Sequence, residues 1–116
     1  MEVFGLLVAA CPSYEGSTHA AGADEMNGEY LRVGQVICHL IDLLDDGRTR
    51  ELPAVFDVVD WVLEEGDDEA RSLIGAGFLD DLTDRNLYGN TTKRPADFRP
   101  WLGPHALQHP SVQRVL

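Results

Sequence analysis

The sequence has few basic residues and no long apolar run, and each shortage argues against a class of protein. Its 116 residues include 20 acidic but only 9 basic side chains, which gives a formal net charge of -11. Nucleic acids and anionic membranes repel a surface of this sign, so the charge disfavours direct binding to either. No apolar stretch approaches the roughly 18 residues that a membrane-spanning helix needs.

Cysteine is also scarce. Cys11 and Cys38 each lie within an apolar stretch, and no third cysteine is present. Two thiols in a chain that can form a hydrophobic core indicate reduced, buried side chains rather than a disulfide framework. The apolar run over residues 4–11 follows Glu2 and no basic residue, whereas a secretory leader begins with positive charge. We therefore expect a short buried helix there and a cytoplasmic protein.

The alternation of apolar and polar residues that marks β-strands is missing as well. Apolar residues make up 44% of the chain, enough for a core, and they recur at spacings of three and four. The sequence therefore predicts an all-α fold, an irregular bundle of four to five helices in a single domain over residues 1–116. A domain of this length has an expected radius near 13 Å.

Start and stop signals divide the chain into segments. Helices are predicted over 2–10, from 25 to about 44, over 51–65, 67–84 and 96–102, and after 103–104, with loops over 12–24 and 85–95. Gly66 is expected in the left-handed conformation that closes a helix, with Asp67 as the next N-cap. Gly75 and Gly77 indicate close approach of another helix, since glycine lowers helix propensity. The predicted core stripes are Tyr30, Val33, Gly34, Ile37, Leu40, Ile41 and Leu44, then Leu52, Val55, Phe56, Val59 and Leu63.

The negative charge is concentrated in one part of the chain. Residues 42–84 carry a net -11, residues 1–41 carry -4, and residues 85–116 carry +4. An adaptation of the whole surface would spread more evenly. The basic C-terminal segment is therefore expected either to fold back on the acidic helices or to leave them free for a partner.

One predicted helix face combines this charge with an aromatic side chain. If the stripe that includes Phe56 faces the core, Trp61 lies on the opposite face, flanked by Asp57, Glu64 and Glu65. Asp68 follows on the next helix, and we assign these five residues to a partner-binding face. Tryptophan ringed by carboxylates is typical of an anchor for a basic partner. The alternative is that the basic segment covers Trp61, with Arg94 or Arg99 in a cation–π contact.

Candidate chemistry is sparse. His105 and His109 have the i, i+4 spacing of metal ligands, but prolines bracket the segment and no third ligand is near. Cys38 and His39 are adjacent, and neighbours on a helix point about 100° apart, which disfavours a dyad. No catalytic, cofactor or metal site is predicted, and we expect a non-enzymatic protein.

Three short segments occur in an order that resembles an uncharacterised family of small all-helical bacterial proteins. They are Leu63-Glu64-Glu65-Gly66-Asp67, Phe78-Leu79-Asp80-Asp81-Leu82 and Leu102-Gly103-Pro104. Asp80 stands where that family usually has glutamate. Its size, acidity and lack of a catalytic signature are similar to those of immunity proteins of bacterial toxin systems. The resemblance implies no catalytic or binding residues.

Two functional hypotheses follow. The first is an immunity-like or antitoxin-like binding protein that neutralises a basic partner, such as a toxin nuclease, through the acidic face around Trp61. The second is a structural or scaffold module whose acidity serves solvation and whose Trp61 is packed internally. The second predicts contacts between residues 85–116 and the middle helices.

Overall fold

The protein is mostly helical in the part of the chain that its computed structural model describes, residues 2–23, 28–89 and 91–115. No strand occurs in these ranges, and the all-α prediction is confirmed. The α-helices are α1 (Val3–Ala10), α2 (Thr18–Ala23), α3 (Glu29–Asp45), α4 (Leu52–Glu65), α5 (Asp68–Ser72), α6 (Asp80–Leu82), α7 (Pro104–Gln108) and α8 (Pro110–Gln113). A π-helix covers Leu73–Leu79, and 3-10 helices cover Pro12–Gly16, Arg85–Tyr88 and Pro95–Trp101.

Two long helices, α3 and α4, form the centre of the bundle. α2 and the π-helix pack on α3, while α1 and α7 pack on α4. α3 ends where predicted, with Gly47 in the turn at φ 75°, and α4 has Pro53 in its first turn. The radius of gyration is 12.8 Å, which agrees with the radius expected from the length.

The loop predicted over residues 12–24 is wrong where the structure describes it. A 3-10 helix and α2 occupy this region, joined by Ser17. The Ser17 hydroxyl donates to the carbonyl oxygen of Tyr14 (2.6 Å) and accepts from the backbone N–H of Ala20 (3.2 Å). Such short helices lack an apolar period and depend on caps and tertiary packing, so periodicity misses them. The part of the prediction that covers residues 24–27 lies outside the described residues.

The turn between α4 and α5 corrects one prediction and confirms another. Gly66 is extended, at φ -72° and ψ 158°, rather than left-handed. Glycine is needed for a different reason, because a Cβ there would lie 2.5 Å from the carbonyl oxygen of Val62. Asp67 is the predicted N-cap, and its carboxylate accepts from the N–H of Ala70 at 2.8 Å.

The segments α5, π-helix and α6 follow one another without a break, as the predicted helix over 67–84 requires. The glycines lie in the π-helical middle, where other parts of the chain approach closely. A Cβ on Gly75 would lie 2.7 Å from Nε2 of His109, and one on Gly77 would lie 3.2 Å from the Tyr30 ring. The prediction of close approach is confirmed.

An aromatic cluster marks the middle of the core. The Phe56 ring lies 5.8 Å from Phe78 and 5.7 Å from Phe98, and Tyr88 lies 6.3 Å from Phe98. This cluster connects α4, the π-helix and the last two 3-10 helices. It therefore holds residues 85–101 against the middle helices.

Three positions of the predicted core stripes differ from the structure. Val62 is fully buried on α4, whereas Leu63 is only partly buried at the edge of the core. Tyr30 is half exposed, and Gly34 is partly exposed. α1, α5 and α7 all pack on α4, so more than one side of this helix is covered. None of the helices in the described residues is long and apolar enough to span a membrane.

Candidate protein-interaction face

The exposed side of α4 carries the residues that the sequence predicted for partner binding. Asp57, Trp61 and Glu64 have the i, i+4, i+7 spacing that places side chains on one helix face. Glu65 lies beside them on the last turn, and all four are exposed. The Trp61 side chain is 48% exposed, the largest aromatic surface on this helix. We call these four residues the Trp61 face.

Trp61 has no cation–π partner among the described residues. The cation–π contact found among the described residues joins Arg32 to the Phe4 ring, at 5.4 Å from the ring centre. In the described ranges, neither Arg94 nor Arg99 has such a contact with Trp61, so that form of the alternative is not found.

Asp60 determines where α7 packs. Its Oδ1 accepts from the backbone N–H groups of His105 (2.9 Å) and Ala106 (3.1 Å), and its Oδ2 lies 2.9 Å from Nδ1 of His105. The hydrogen bond to this carboxylate raises the pKa of His105, and the charge of Glu64 acts in the same direction. The C-terminal segment is thus attached beside the Trp61 face.

The carboxylates of the Trp61 face form no ion pair in the described part of the chain. Within residues 2–23, 28–89 and 91–115, no ion pair involves Asp57, Glu64 or Glu65. Exposed carboxylates that form no ion pair produce a negative potential that attracts a positively charged surface, and the charge of Glu64 also acts on His105. The face therefore combines an apolar anchor with negative charge.

Asp68, the fifth predicted residue, belongs to a different environment. It lies on the first turn of α5, and its carboxylate pairs with Arg71 at 3.0 Å. With Leu63 and His109 it lines a groove of about 620 Å³ between α5 and α8. The structure therefore places four of the five predicted residues on one helix face and the fifth on the next helix.

The two C-terminal histidines serve separate contacts. His105 pairs with Asp60, as described above, whereas Nδ1 of His109 accepts from the backbone N–H of Ser111 at 3.2 Å. Nε2 of His109 faces the backbone of Gly75. No cluster of three or more metal-ligating side chains occurs in the described part of the chain. Their spacing reflects packing of α7 and α8.

Sequence reasoning missed a polar cluster that joins the N-terminal segment to α3 and α4. Ser13 donates its hydroxyl and its backbone N–H to Oε1 of Glu51, both at 3.1 Å. The same hydroxyl lies 2.9 Å from Nε2 of His39, which is buried. Cys11 Sγ lies 3.9 Å from this hydroxyl. These residues are far apart in the sequence, and no local motif marks them.

The protonation of this cluster follows from burial. Burial raises the pKa of the Cys11 thiol to about 12 and, together with the charge of His19, lowers the pKa of His39. Burial alone would favour neutral Glu51, but the hydrogen bonds from Ser13 hold its pKa below the ordinary value. The cluster is therefore a thiol, a neutral imidazole and a carboxylate.

The geometry of this cluster is suited to holding the first 3-10 helix in place rather than to activating a nucleophile. A serine nucleophile donates its hydroxyl proton to histidine, whereas Ser13 donates to Glu51. The thiol form of Cys11 is also unreactive, because the thiolate is the nucleophile. We interpret the cluster as a polar link that holds the first 3-10 helix against α3 and the start of α4.

A family model matches most of the chain. The chain belongs to the family described as a domain of unknown function (DUF7674), which matches residues 4–109. No curated protein and no solved structure matches the chain. The matched range includes the Trp61 face, the polar cluster around Ser13 and the α7 attachment.

Proposed function

We propose that the protein is a non-enzymatic binding protein of the immunity or antitoxin type, which captures a basic partner on the Trp61 face. The half-exposed indole of Trp61 is the observation that carries this proposal. Tryptophan is enriched among the few residues that dominate binding energy, because its large ring loses much water contact in a pocket. An uncovered indole on a domain surface is well placed for that role.

The negative charge of the chain supports the proposal that the partner is a basic protein. The chain carries a net -11, and three unpaired carboxylates surround the indole. Such a surface speeds encounter with a basic protein and disfavours acidic ones. A toxin nuclease fits this chemistry, since a protein that binds nucleic acid needs a basic surface and an acidic protein competes for it.

The two free thiols are consistent with a location in a reducing compartment, and we propose that the protein is cytoplasmic. Cys11 and Cys38 are both free, and Cys11 is fully buried. Disulfides are rare in the cytoplasm, where thiols stay reduced. A cytoplasmic immunity protein would meet its toxin before the toxin reaches its target.

One observation favours the alternative of a structural helical module. That hypothesis predicts contact between residues 85–116 and the middle helices, and α7 does pack on α4 through Asp60. It also predicts an internal Trp61, whereas this side chain is 48% exposed. The exposed indole favours the binding protein.

The test first asks whether a gene for a basic, toxin-like protein lies beside this one, and its absence would favour the structural module. Where such a gene is present, the protein it encodes is the partner. We expect it to bind the wild-type chain, and the double variant Trp61→Ala with Asp57→Lys to lose that binding. The unfolding temperature should stay nearly unchanged, because both side chains are exposed. Calorimetric titration and growth rescue on co-expression measure the effect.

A matched control is available on α3. Tyr30→Ala with Asp45→Lys removes one half-exposed aromatic ring and changes the charge by the same amount, away from the Trp61 face. This control should bind and rescue as the wild type does. Equal binding by both double variants would rule out the Trp61 face, and a large loss of stability in the first would show that Trp61 supports the core.

A further inference from the structure

A second surface of the molecule has the opposite charge. A cavity of about 240 Å³ lies between the 3-10 helix Arg85–Tyr88 and the start of the 3-10 helix Pro95–Trp101. Arg85, Lys93 and Arg94 line it, together with Thr91 and Tyr88. Among the described residues, no aspartate or glutamate lines it, although the nearby charge of Asp97 helps burial to raise the pKa of Tyr88. We call it the basic cavity.

Three of the five basic residues in residues 85–116 line this one cavity. In the described part of the chain, none of the three forms an ion pair. The one carboxylate of that segment, Asp97, accepts from the backbone N–H of Arg94 at 2.9 Å. The cations therefore do not neutralise the acidic helices, although the sequence left that explanation open.

Arg85 and Arg94 are exposed at this cavity, and the concentration of positive charge there favours an anionic ligand. Arg85, Lys93 and Arg94 repel one another, because they carry like charges around one cavity. The chain has 20 acidic residues, yet in its described part none of them forms an ion pair with these three. A concave surface with one sign of charge focuses the electrostatic potential and concentrates counter-ions. An anionic ligand would remove the repulsion among Arg85, Lys93 and Arg94.

The walls of the cavity are held in place. The Tyr88 hydroxyl donates to the carbonyl oxygen of Leu82, and its ring packs on Phe98. The backbone N–H of Thr91 donates to the carbonyl oxygen of Tyr88 at 3.0 Å, and that of Lys93 donates to Oγ1 of Thr91 at 3.3 Å. The Thr91 hydroxyl accepts in that bond and has a proton of its own to donate, for which no acceptor is found among the described residues.

We propose that the basic cavity binds the phosphate group of a small phosphomonoester. Guanidinium groups match phosphate oxygens in a planar, two-point geometry, and an ammonium adds a point charge. The hydroxyl of Thr91 supplies a neutral donor. The volume lies below the roughly 300–1,000 Å³ of drug-sized pockets, so the ligand is a compact phosphorylated compound rather than a dinucleotide. This site is independent of the proposed function of the Trp61 face.

The test is calorimetric titration of the full chain with ribose 5-phosphate, inorganic phosphate and ribose. We expect ribose 5-phosphate and phosphate to bind, ribose not to bind, and the affinity to fall as salt is added. Lys93→Gln and Arg94→Gln should each weaken binding about tenfold, the loss of one charged hydrogen bond. Arg99→Gln and Arg114→Gln change the charge equally in the same segment, outside the cavity, and should bind as the wild type does.

The outcomes separate the alternatives. Tighter binding of ribose 5-phosphate than of phosphate identifies a phosphorylated metabolite, and equal binding identifies free phosphate. The proposal is overturned if neither binds, if Arg99→Gln weakens binding as much as Arg94→Gln, or if an oligoglutamate peptide binds and phosphate does not. Far-UV circular dichroism checks the fold of each variant, and Arg85→Gln replaces any that unfolds.

Discussion

Asp60 on α4 and His105 on α7 form the contact that attaches the C-terminal segment. Gly103, the N-cap of α7, has no side chain to accept from the first N–H groups, and Asp60 does so from another helix. A Cβ on Gly103 would lie 2.5 Å from Cγ of Asp60, so the glycine makes room for this carboxylate. An N-cap supplied across 45 residues replaces the usual local one.

Removing this cap should destabilise the domain. Asp60→Ala leaves the N–H groups of His105 and Ala106 without an acceptor, and we expect a loss of about 1–2 kcal/mol in the free energy of unfolding by urea. Asp60→Asn keeps one oxygen acceptor and should lose less. The control is Asp57→Ala on the same helix, which has no such bonds and should leave stability nearly unchanged.

The Asp60–His105 pair also has a defined pH dependence. Because the pKa of His105 is raised in the folded protein, the pair stabilises the fold below the ordinary histidine pKa of about 6.5. That contribution is lost as the pH rises through the raised value. Titration by NMR should show the pKa of His105 falling in Asp60→Asn, and an unchanged value would contradict the pairing.

The close approach of His109 to Gly75 predicts a steric effect. In Gly75→Ala the new Cβ would meet Nε2 of His109 at 2.7 Å, and we expect a loss of about 1–3 kcal/mol in unfolding free energy. The combination with His109→Ala should cost less than the sum of the two single changes. Gly22→Ala is the matched control, since nothing lies within 4 Å of its Cβ position. Additive costs would contradict the contact.

The buried His39 predicts acid sensitivity. Its pKa is lowered by burial, so below about pH 6.5 the unfolded chain takes up a proton that the folded chain resists. The free energy of unfolding therefore decreases as the pH falls from 6.5 toward the lower pKa that His39 has in the folded protein. The free energy of unfolding should be larger at pH 7.5 than at pH 5.5, and this difference should be greater in the wild type than in His39→Gln. The same pH difference in both proteins would show that His39 does not titrate in this way.

Local spacing was enough to predict the helices that carry most of the core. The three- and four-residue periods placed α3 and α4 within a few residues of their observed bounds, and Asp67 marked the start of α5. The same period placed Trp61 on the exposed side of α4. These features depend on residues within one or two turns of each other, which a sequence shows directly.

Contacts between distant residues could not be predicted in this way. Glu51 meets Ser13 across 38 residues, and Asp60 meets His105 across 45. The short α2 and the shift from Leu63 to Val62 depend on which helices pack against their neighbours. Each of these features results from tertiary packing, and the periodic pattern of apolar residues along the sequence does not reveal it.

The net charge of -11 and its concentration in residues 42–84 were determined by the sequence alone. Whether the basic segment neutralises that charge was decided only by the tertiary structure. The Asp60 cap directs α7 to the flank of α4, and three cations of that segment gather in a separate cavity. Trp61 therefore stays half exposed beside the acidic residues of α4, while the Asp60 cap and the aromatic cluster fix the path of the C-terminal segment.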